Sequence, residues 1–227
     1  MGIGKKGFTL VEIIVSLAIM TIVAGAVGAF VIAGNNSYMR GNKELTLQEE
    51  AQLTANQMID LIIDVEKGIS FSNLTDQEAV DVDGNVAKDV NGMEVTNASV
   101  SELRLINNDN SYMIRWQGGA GADYADANQV YLYEVTNTKD GEGKVVVGDF
   151  DAAKPALMAE HVSSFSVDLS ELDKRKVVLN MIFTYQDKSY DISETIKLRN
   201  DLSSEPSSIY SWISGIRIIP EHADLKQ

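Results

Sequence analysis

An uncharged apolar stretch near the N-terminus is the feature that most limits what this 227-residue chain can form. No Asp, Glu, Lys, Arg or His occurs from Ile13 to Ala33. That length matches the roughly 20 residues that a helix needs to cross the core of a bilayer. Lys5 and Lys6 precede the stretch, and basic residues on that side keep the N-terminus in the cytoplasm. The sequence therefore predicts a single-pass membrane protein whose C-terminal part lies outside the cytoplasm.

Glu12 stands alone at the head of this stretch and requires a partner. A carboxylate inside the membrane costs on the order of 2.5–3.5 kcal/mol, and no Lys, Arg or His lies between Phe8 and Tyr38. Cleavage after Gly7 would create a free amino group on Phe8, about one helical turn from Glu12. Every neighbouring subunit would offer the same amine. An ion pair between subunits in a medium of low dielectric constant is strong and geometrically demanding.

The order Gly7-Phe8-Thr9-Leu10-Val11-Glu12, after a short basic leader, resembles the processing signal of type IV pilins and type II secretion pseudopilins. The resemblance implies that a prepilin peptidase cleaves after Gly7 and methylates the amine of Phe8. It also implies that Glu12 is the assembly carboxylate, and that an inner-membrane assembly platform moves the subunit from the membrane into a filament of pilin or pseudopilin subunits. Pili, type II secretion systems and DNA-uptake machines all use such subunits.

Three other interpretations of the apolar stretch are weaker. A secretory signal normally has an apolar region of about 7–15 residues without a carboxylate at its head. A plain membrane anchor explains the length but not the order from Gly7 to Glu12. A buried helix of a soluble protein rarely lacks a polar face over such a length.

Beyond Gly34 the pattern becomes amphipathic. A helical stripe of apolar residues predicts that the helix continues to about Glu66 and stops at Gly68; its members are Leu47, Ala51, Ala55, Met58, Ile62 and Val65. Gly25, Gly28 and Gly34 each weaken a helix by up to about 1 kcal/mol, which leaves local melting open. The sequence thus divides into a leader (1–7), a transmembrane or filament-core helix (8–34) and an amphipathic continuation (35–67).

Residues 68–99 are polar and predict a variable loop region. Asp81-Val82-Asp83-Gly84-Asn85 and Asp89-Val90-Asn91-Gly92 have the composition of turns. Closely spaced carboxylates also suit calcium. However, the glycine is in the fourth place and no glutamate closes a twelve-residue loop, so turns are the favoured interpretation.

Residues 100–200 predict an antiparallel β-sheet. Strand patterns surround turn residues in series, and Val177, Leu179, Met181 and Phe183 alternate as one buried side of a strand. A helix followed by hairpins predicts an α+β fold in which the sheet packs on the amphipathic half of the helix. The tail, 201–227, has a cluster of Ile, Tyr and Trp that we expect to fold back on the sheet or to dock on a partner subunit.

The ending Lys197-Leu198-Arg199-Asn200 is similar to that of J-type and W-type minor subunits. With the large body beyond the helix, this resemblance favours a minor, tip-proximal pilin or pseudopilin. The alternatives are a major pilin of the shaft and a helix-anchored surface protein that does not polymerise.

Composition limits the remaining functions. The net charge of −14 argues against direct binding of nucleic acid. The chain has no cysteine, and His161 and His222 lack a metal-ligand pattern. No motif of a catalytic site occurs, so the sequence predicts a structural protein rather than an enzyme, without a cofactor unless calcium binds the turns.

Overall fold

Helix α1 runs without a break from Leu10 to Ile63. The computed structural model describes residues 9–118 and 124–202, and the chain divides into two units, Met1–Thr46 and Leu47–Gln227. The helix passes through Gly25, Gly28 and Gly34 without interruption. The cost of these glycines is therefore not enough to unwind the helix here.

The part of α1 in the first unit is bare. Every described side chain from Thr9 to Asn42 is exposed, including Phe30 and Ile22. By length and composition this segment can cross a membrane, and an apolar helix without protein packing suits a lipid or a filament core.

The part of α1 in the second unit packs on the β-structure along the predicted stripe. Its buried residues are Leu47, Ala51, Thr54, Ala55, Met58 and Ile62. They share one core with the two large sheets, which contribute Leu103, Leu105, Ile114, Leu179, Met181 and Phe183. The predicted α+β fold, a long helix on antiparallel β-sheet, is confirmed.

In residues 9–118 and 124–202, ten strands form three antiparallel sheets. The strands are β1 Gly68–Gln77, β2 Ala98–Ile106, β3 Asn110–Gly118, β4 Gln129–Thr136, β5 Thr138–Lys139, β6 Val145–Val146, β7 Ala156–Ala159, β8 Val162–Asp168, β9 Lys176–Tyr185 and β10 Lys188–Lys197. The sheet orders are β1-β2-β3-β4-β7, β10-β9-β8 and β5-β6. Phe71 of β1 meets Phe165 of β8 edge to face, with ring centroids 5.7 Å apart, so the two large sheets enclose a common core.

Two boundaries differ from the sequence prediction. The helix ends at Ile63 rather than near Glu66, and Gly68 begins β1 instead of stopping the helix. The segment 68–77, predicted as part of a loop region, is an edge strand paired with β2 from Gly68↔Ile106 to Gln77↔Ala98. An edge strand exposes many polar residues, which hides the alternation on which strand prediction depends.

Pairing near β4 also differs from the prediction. The turn residues 140–143 in the sequence predict that the segment 144–147 returns along β4. Instead β6 pairs with the two residues of β5, Thr138↔Val146 and Lys139↔Val145. Strand β4 lies between β3 and β7, and β7 has only four residues, too few to leave a periodic pattern.

The ending Lys197-Leu198-Arg199-Asn200 caps the C-terminus of α1. The amide of Arg199 donates to the carbonyl of Ile63 (2.9 Å), and Asn200 Nδ2 donates to the carbonyl of Val65 (2.9 Å). The Arg199 guanidinium pairs with Asp64 at 2.5 Å. These groups satisfy carbonyls that a helix end leaves without partners, and the cation complements the helix dipole.

A second polar contact fixes the helix at its other end within this unit. Glu50 Oε1 accepts the backbone amides of Glu160 (2.7 Å) and His161 (3.2 Å), and Glu50 Oε2 lies 2.6 Å from His161 Nδ1. The His161 ring packs edge to face on Tyr185. His161 therefore has a structural role, because it joins α1 to the connection between β7 and β8.

We expect Met58→Ala to lower the free energy of unfolding by about 2–5 kcal/mol, because it removes most of a fully buried side chain and leaves a cavity in the core. The measurement is denaturant unfolding of the detergent-solubilised full chain, followed by tryptophan fluorescence. Leu53→Ala is the matched control, since Leu53 lies on the same helix but is 60% exposed. Equal losses in both variants would contradict the packing described here.

Candidate assembly site at the N-terminal end of the helix

Thr9 and Glu12 form a reciprocal cap at the start of α1. The amide of Glu12 donates to Thr9 Oγ1 (3.3 Å), while the amide and the hydroxyl of Thr9 donate to Glu12 Oε2 (2.9 and 3.0 Å). This is the capping-box arrangement, in which a Thr and a Glu three residues later satisfy each other's backbone amides. The Glu12 carboxylate thus takes part in starting the helix on which it stands.

The cap leaves one of the two Glu12 carboxylate oxygens available for a further hydrogen bond. Both bonds from Thr9 reach Oε2, and within the described residues Oε1 of Glu12 accepts no hydrogen bond. In an apolar environment, a carboxylate oxygen that accepts no hydrogen bond carries a large desolvation free energy. The geometry therefore gives Glu12 one satisfied oxygen and one oxygen that can accept a donor from another molecule.

The other hydroxyls near this end bond within the helix. Ser16 Oγ donates to the carbonyl of Glu12 (2.7 Å), and Thr21 Oγ1 donates to the carbonyls of Leu17 and Ala18. Such bonds to the preceding turn allow hydroxyl groups to lie in an apolar environment without unpaired donors. Glu12 is consequently distinguished from its polar neighbours as a group with remaining hydrogen-bonding capacity.

The structure describes only one of the three predicted site residues. Glu12 lies in the first turn of α1, whereas Gly7 and Phe8 lie outside the described residues. Cleavage after Gly7, methylation of Phe8 and pairing of Glu12 with a Phe8 amine therefore stay predictions. Thr9 was not predicted as a partner of Glu12, although Thr-x-x-Glu before an apolar run is the sequence signature of a capping box.

The two acidic turns in the region that the sequence predicted as a loop have the same geometry. Asp81 Oδ1 accepts the amides of Asp83 and Asn85, both at 2.9 Å. Asp89 Oδ1 accepts those of Asn91 (2.8 Å) and Met93 (2.9 Å). The glycine in the fourth place of each turn has positive φ, +84° for Gly84 and +80° for Gly92, a conformation that side chains disfavour.

This geometry explains the acidic residues without a metal. The amide of Asn85 lowers the pKa of the Asp81 carboxyl and the amide of Met93 lowers that of Asp89, so both are ionised at neutral pH. Within residues 9–118 and 124–202, no group of three or more His, Cys, Asp or Glu residues is arranged to hold a metal ion. The favoured interpretation of these segments as turns agrees with the geometry.

The two turns belong to one small lobe, residues 78–97, which we call the hairpin lobe. Three of its backbone segments bond in a closed ring: Ala79 N to Val95 O (3.0 Å), Ala87 N to Ala79 O (2.9 Å) and Val95 N to Ala87 O (2.9 Å). These three residues are eight apart in sequence, and all are buried. This eight-residue spacing is not evident in the sequence. The residues that the two repeated segments have in common are those of their turns, which also occur in ordinary loops.

Polar side chains of β3 attach the hairpin lobe to the large sheet. Gln117 bonds both the amide and the carbonyl of Val80, and Arg115 donates to the carbonyl of Glu78 (2.6 Å). Glu102, which is 4% exposed, pairs with Arg104 at 2.7 Å and lies 3.8 Å from Arg115. A buried charge requires such partners, so this ion cluster is structural and fixes the position of the lobe.

Comparison with known proteins agrees with the N-terminal geometry. The family profile for the prokaryotic N-terminal methylation motif matches residues 4–28. The match includes Gly7, Phe8 and Glu12 and supports a type IV pilin-like precursor. No curated protein matches the chain, and no solved structure matches it either.

We expect Thr9→Val to weaken the first turn of α1 by about 1 kcal/mol, because valine keeps the shape but has no hydroxyl to cap the helix. Hydrogen–deuterium exchange of the unprocessed chain in detergent micelles, read at the amides near Glu12, measures this. Thr9→Ser should keep slow exchange because it retains the hydroxyl. Exchange that is unchanged in Thr9→Val would show that the cap does not hold the helix start.

Proposed function

We propose that the chain is a structural subunit of a type IV pilus-like filament, cleaved after Gly7, methylated at Phe8 and assembled through its N-terminal helix. The observation that supports this most directly is the N-terminal methylation motif over residues 4–28, followed by a bare apolar helix with one carboxylate in its first turn. The pilin-type motif points to a structural subunit and not to an enzyme.

The proposed assembly step uses the free oxygen of Glu12. Before assembly, Thr9 satisfies Oε2, which reduces the cost of holding the carboxylate at the membrane. The methylated amine of Phe8 on an adjacent subunit then pairs with Oε1. Because the cap and the amine use different oxygens, the subunit can enter the filament without losing the first turn of its helix.

The proposed partners follow from this route. Prepilin peptidase acts on the precursor in the cytoplasmic membrane, an inner-membrane assembly platform extracts the mature chain, and other pilin or pseudopilin subunits receive it. The β-structure then lies outside the cytoplasm, in the periplasm or on the cell surface.

A minor, tip-proximal position is a narrower proposal. It rests on the size of the body beyond α1 and on the ending Lys197-Leu198-Arg199-Asn200. In this structure Arg199 and Asn200 cap the helix, which gives the ending a packing role that a major subunit would need equally. The number of copies per filament distinguishes the two positions.

The processing route predicts the mass and first residue of the native protein. Membrane extract from the native host should contain a chain that begins at methylated Phe8, because the cut after Gly7 supplies the amine that Glu12 requires. Intact-mass measurement and N-terminal sequencing test this. A chain that begins at Met1, or after Ala26 or Ala33, would contradict the proposed route.

We further expect Glu12→Ala to abolish incorporation into filaments while expression and membrane insertion persist, because an apolar helix inserts without the carboxylate but cannot pair with Phe8. The measurement compares the sheared filament fraction with the membrane fraction. Glu49→Ala is the control, since Glu49 is exposed on the second half of the same helix. Normal incorporation of Glu12→Ala would remove the carboxylate from the mechanism.

A further inference from the structure

Strand β10 is an open edge of its sheet within residues 9–118 and 124–202. The sheet order β10-β9-β8 gives β10 one neighbour. Its residues pair with β9 in an unbroken register from Lys188↔Tyr185 to Lys197↔Lys176. Neither a bulge nor a proline interrupts this strand. An edge strand without either feature can accept another strand along its free side.

The backbone groups of β10 that point away from β9 belong to alternate residues. Leu198 N donates to Arg175 O (2.8 Å), whereas Thr184 N donates away from β10, to His161 O (2.7 Å). Hydrogen-bonded and non-hydrogen-bonded pairs alternate along an antiparallel ladder, so the pair Thr184↔Ser189 is of the second kind. The residues of β10 whose N–H and C=O groups face outward are therefore Ser189, Asp191, Ser193, Thr195 and Lys197. Within the described part of the chain, these groups have no backbone partner on the outer side.

The side of β10 that faces the core has apolar residues on both sides of one polar position. Ile192, Ile196 and Leu198, the residue after the strand, are buried, and Tyr190 packs against the same core. Glu194 lies between the two isoleucines on this side, opposite buried Leu179 of β9, yet it is exposed. The order along the strand is thus two apolar residues, one polar residue and two apolar residues.

The tail beyond Leu202 lies outside the described residues, but its sequence has the same order. Between Pro206 and Pro220 there is no proline, and the one charged residue is Arg217. Aromatic and β-branched residues, which favour strands, are frequent in this segment. In an extended conformation, one side of the segment carries Tyr210, Trp212, Ser214, Ile216 and Ile218.

The two patterns select one register of an antiparallel pair. With Ser214 opposite Glu194, each apolar residue of the tail pattern lies opposite an apolar residue on the core side of β10. The same alignment places Arg217 opposite Asp191 on the other side of the sheet. A shift by two residues would place Ser214 opposite a buried isoleucine and would separate the two charges, so the alternatives are less favourable.

The tail also begins at a suitable position. Leu202 is 8% exposed and belongs to the same core as Leu198 at the end of β10. Residues 199–209 separate Leu198 from Tyr210, which is long enough for the chain to reverse direction and return along β10. A segment tethered this closely has an effective concentration in the millimolar range at the edge. The tail of the same chain is therefore favoured over that of a neighbouring copy.

Two other places could receive an extended segment, and both match the tail less well. Strand β1 is also an edge strand, but its pairing with β2 is irregular near its end, and its core side is apolar at Ile69 and Phe71 alone. The hairpin lobe exposes three apolar side chains, but its backbone forms hydrogen bonds within the lobe. These exposed residues are Val82, Val90 and Met93.

We propose that residues 210–218 form a strand that pairs antiparallel with β10 of the same chain, with Ser214 opposite Glu194. The sheet then has the order tail-β10-β9-β8, and the apolar residues of the tail extend the core at this edge. A covered edge cannot pair with a strand of another chain. The inference concerns a single chain and does not depend on the proposed function.

The absence of cysteine allows a direct test with introduced pairs in the full-length chain. Glu194 and Ser214 form a non-hydrogen-bonded pair in the proposed register, with Cα atoms about 4.5 Å apart, which suits a disulfide. After mild oxidation, Glu194→Cys with Ser214→Cys should give an internally linked monomer that has lost both thiols. The matched control is Glu194→Cys with Ser208→Cys, which has the same number of thiols in the same two segments. Six residues of strand separate Ser208 from Ser214, about 20 Å, so the control should form its disulfide roughly tenfold more slowly.

Three results of this experiment would overturn the inference. Equal rates in the two pairs would show that the tail has no fixed register on β10. Disulfide-linked dimers instead of an internally linked monomer would place the tail on a neighbouring copy. Faster linkage of Asn73→Cys with Ser214→Cys would place the tail on β1, since Asn73 is an exposed residue of that edge strand.

Hydrogen–deuterium exchange at single residues provides a second measurement. The outward amides of Asp191, Ser193 and Thr195 should exchange slowly in the full chain. Gly215→Pro removes the N–H group that would donate to the Ser193 carbonyl, and it should speed exchange at these amides by about tenfold. Gly215→Ala, which retains the N–H group, should not. The amide of Ile192, which faces β9, should stay slow in every variant and so reports intact folding; outward amides that exchange freely in the unsubstituted chain would contradict the added strand.

Discussion

The second unit depends on one packing constraint: the apolar stripe of α1 is buried in one core with residues of both large sheets. Met58 and Ile62 have no exposed surface, and the same core includes Leu103 of one sheet and Leu179 of the other. Without the helix, apolar residues of both sheets that share this core would lose part of their cover. The polar contacts then determine the position of the helix. Glu50 holds it beside His161, and Asn200 holds it at its C-terminus.

Glu12 imposes a different constraint on the same helix, because its carboxylate needs hydrogen-bond partners. In water a capping box is a modest contribution to stability, but at the head of an apolar helix it also reduces the desolvation cost of the carboxylate. Only Oε2 is used for this purpose. A fully satisfied carboxylate would have little to gain from a partner, and an entirely unsatisfied one would insert poorly. In the proposed route, the hydrogen bonds to Oε2 would lower the desolvation cost in the membrane, and the free Oε1 would still gain free energy from pairing during assembly.

The sequence was sufficient where one physical cause dominates. Periodicity predicted the buried stripe from Leu47 to Ile62, and alternation predicted β9, since each pattern reflects one apolar side. It failed where the cause is distant. The role of Asn200 depends on Val65, 135 residues earlier, and β1 looks like a loop because it is a polar edge strand. Thr9 is the exception: its partner is three residues away, and the Thr-x-x-Glu signature was present but was overshadowed by the charge argument about Glu12.

The hairpin lobe shows how a polar segment can still be a fixed surface. Its rigidity comes from Asp81 and Asp89, whose carboxylates bind the backbone of their own turns, and from the closed ring of bonds through Ala79. Gln117 then joins the lobe to β3 as an additional strand would. A segment held in this way presents its exposed Val and Met side chains without a large loss of entropy on binding. Residues that resemble a solvated loop in the sequence therefore form a surface with a fixed backbone.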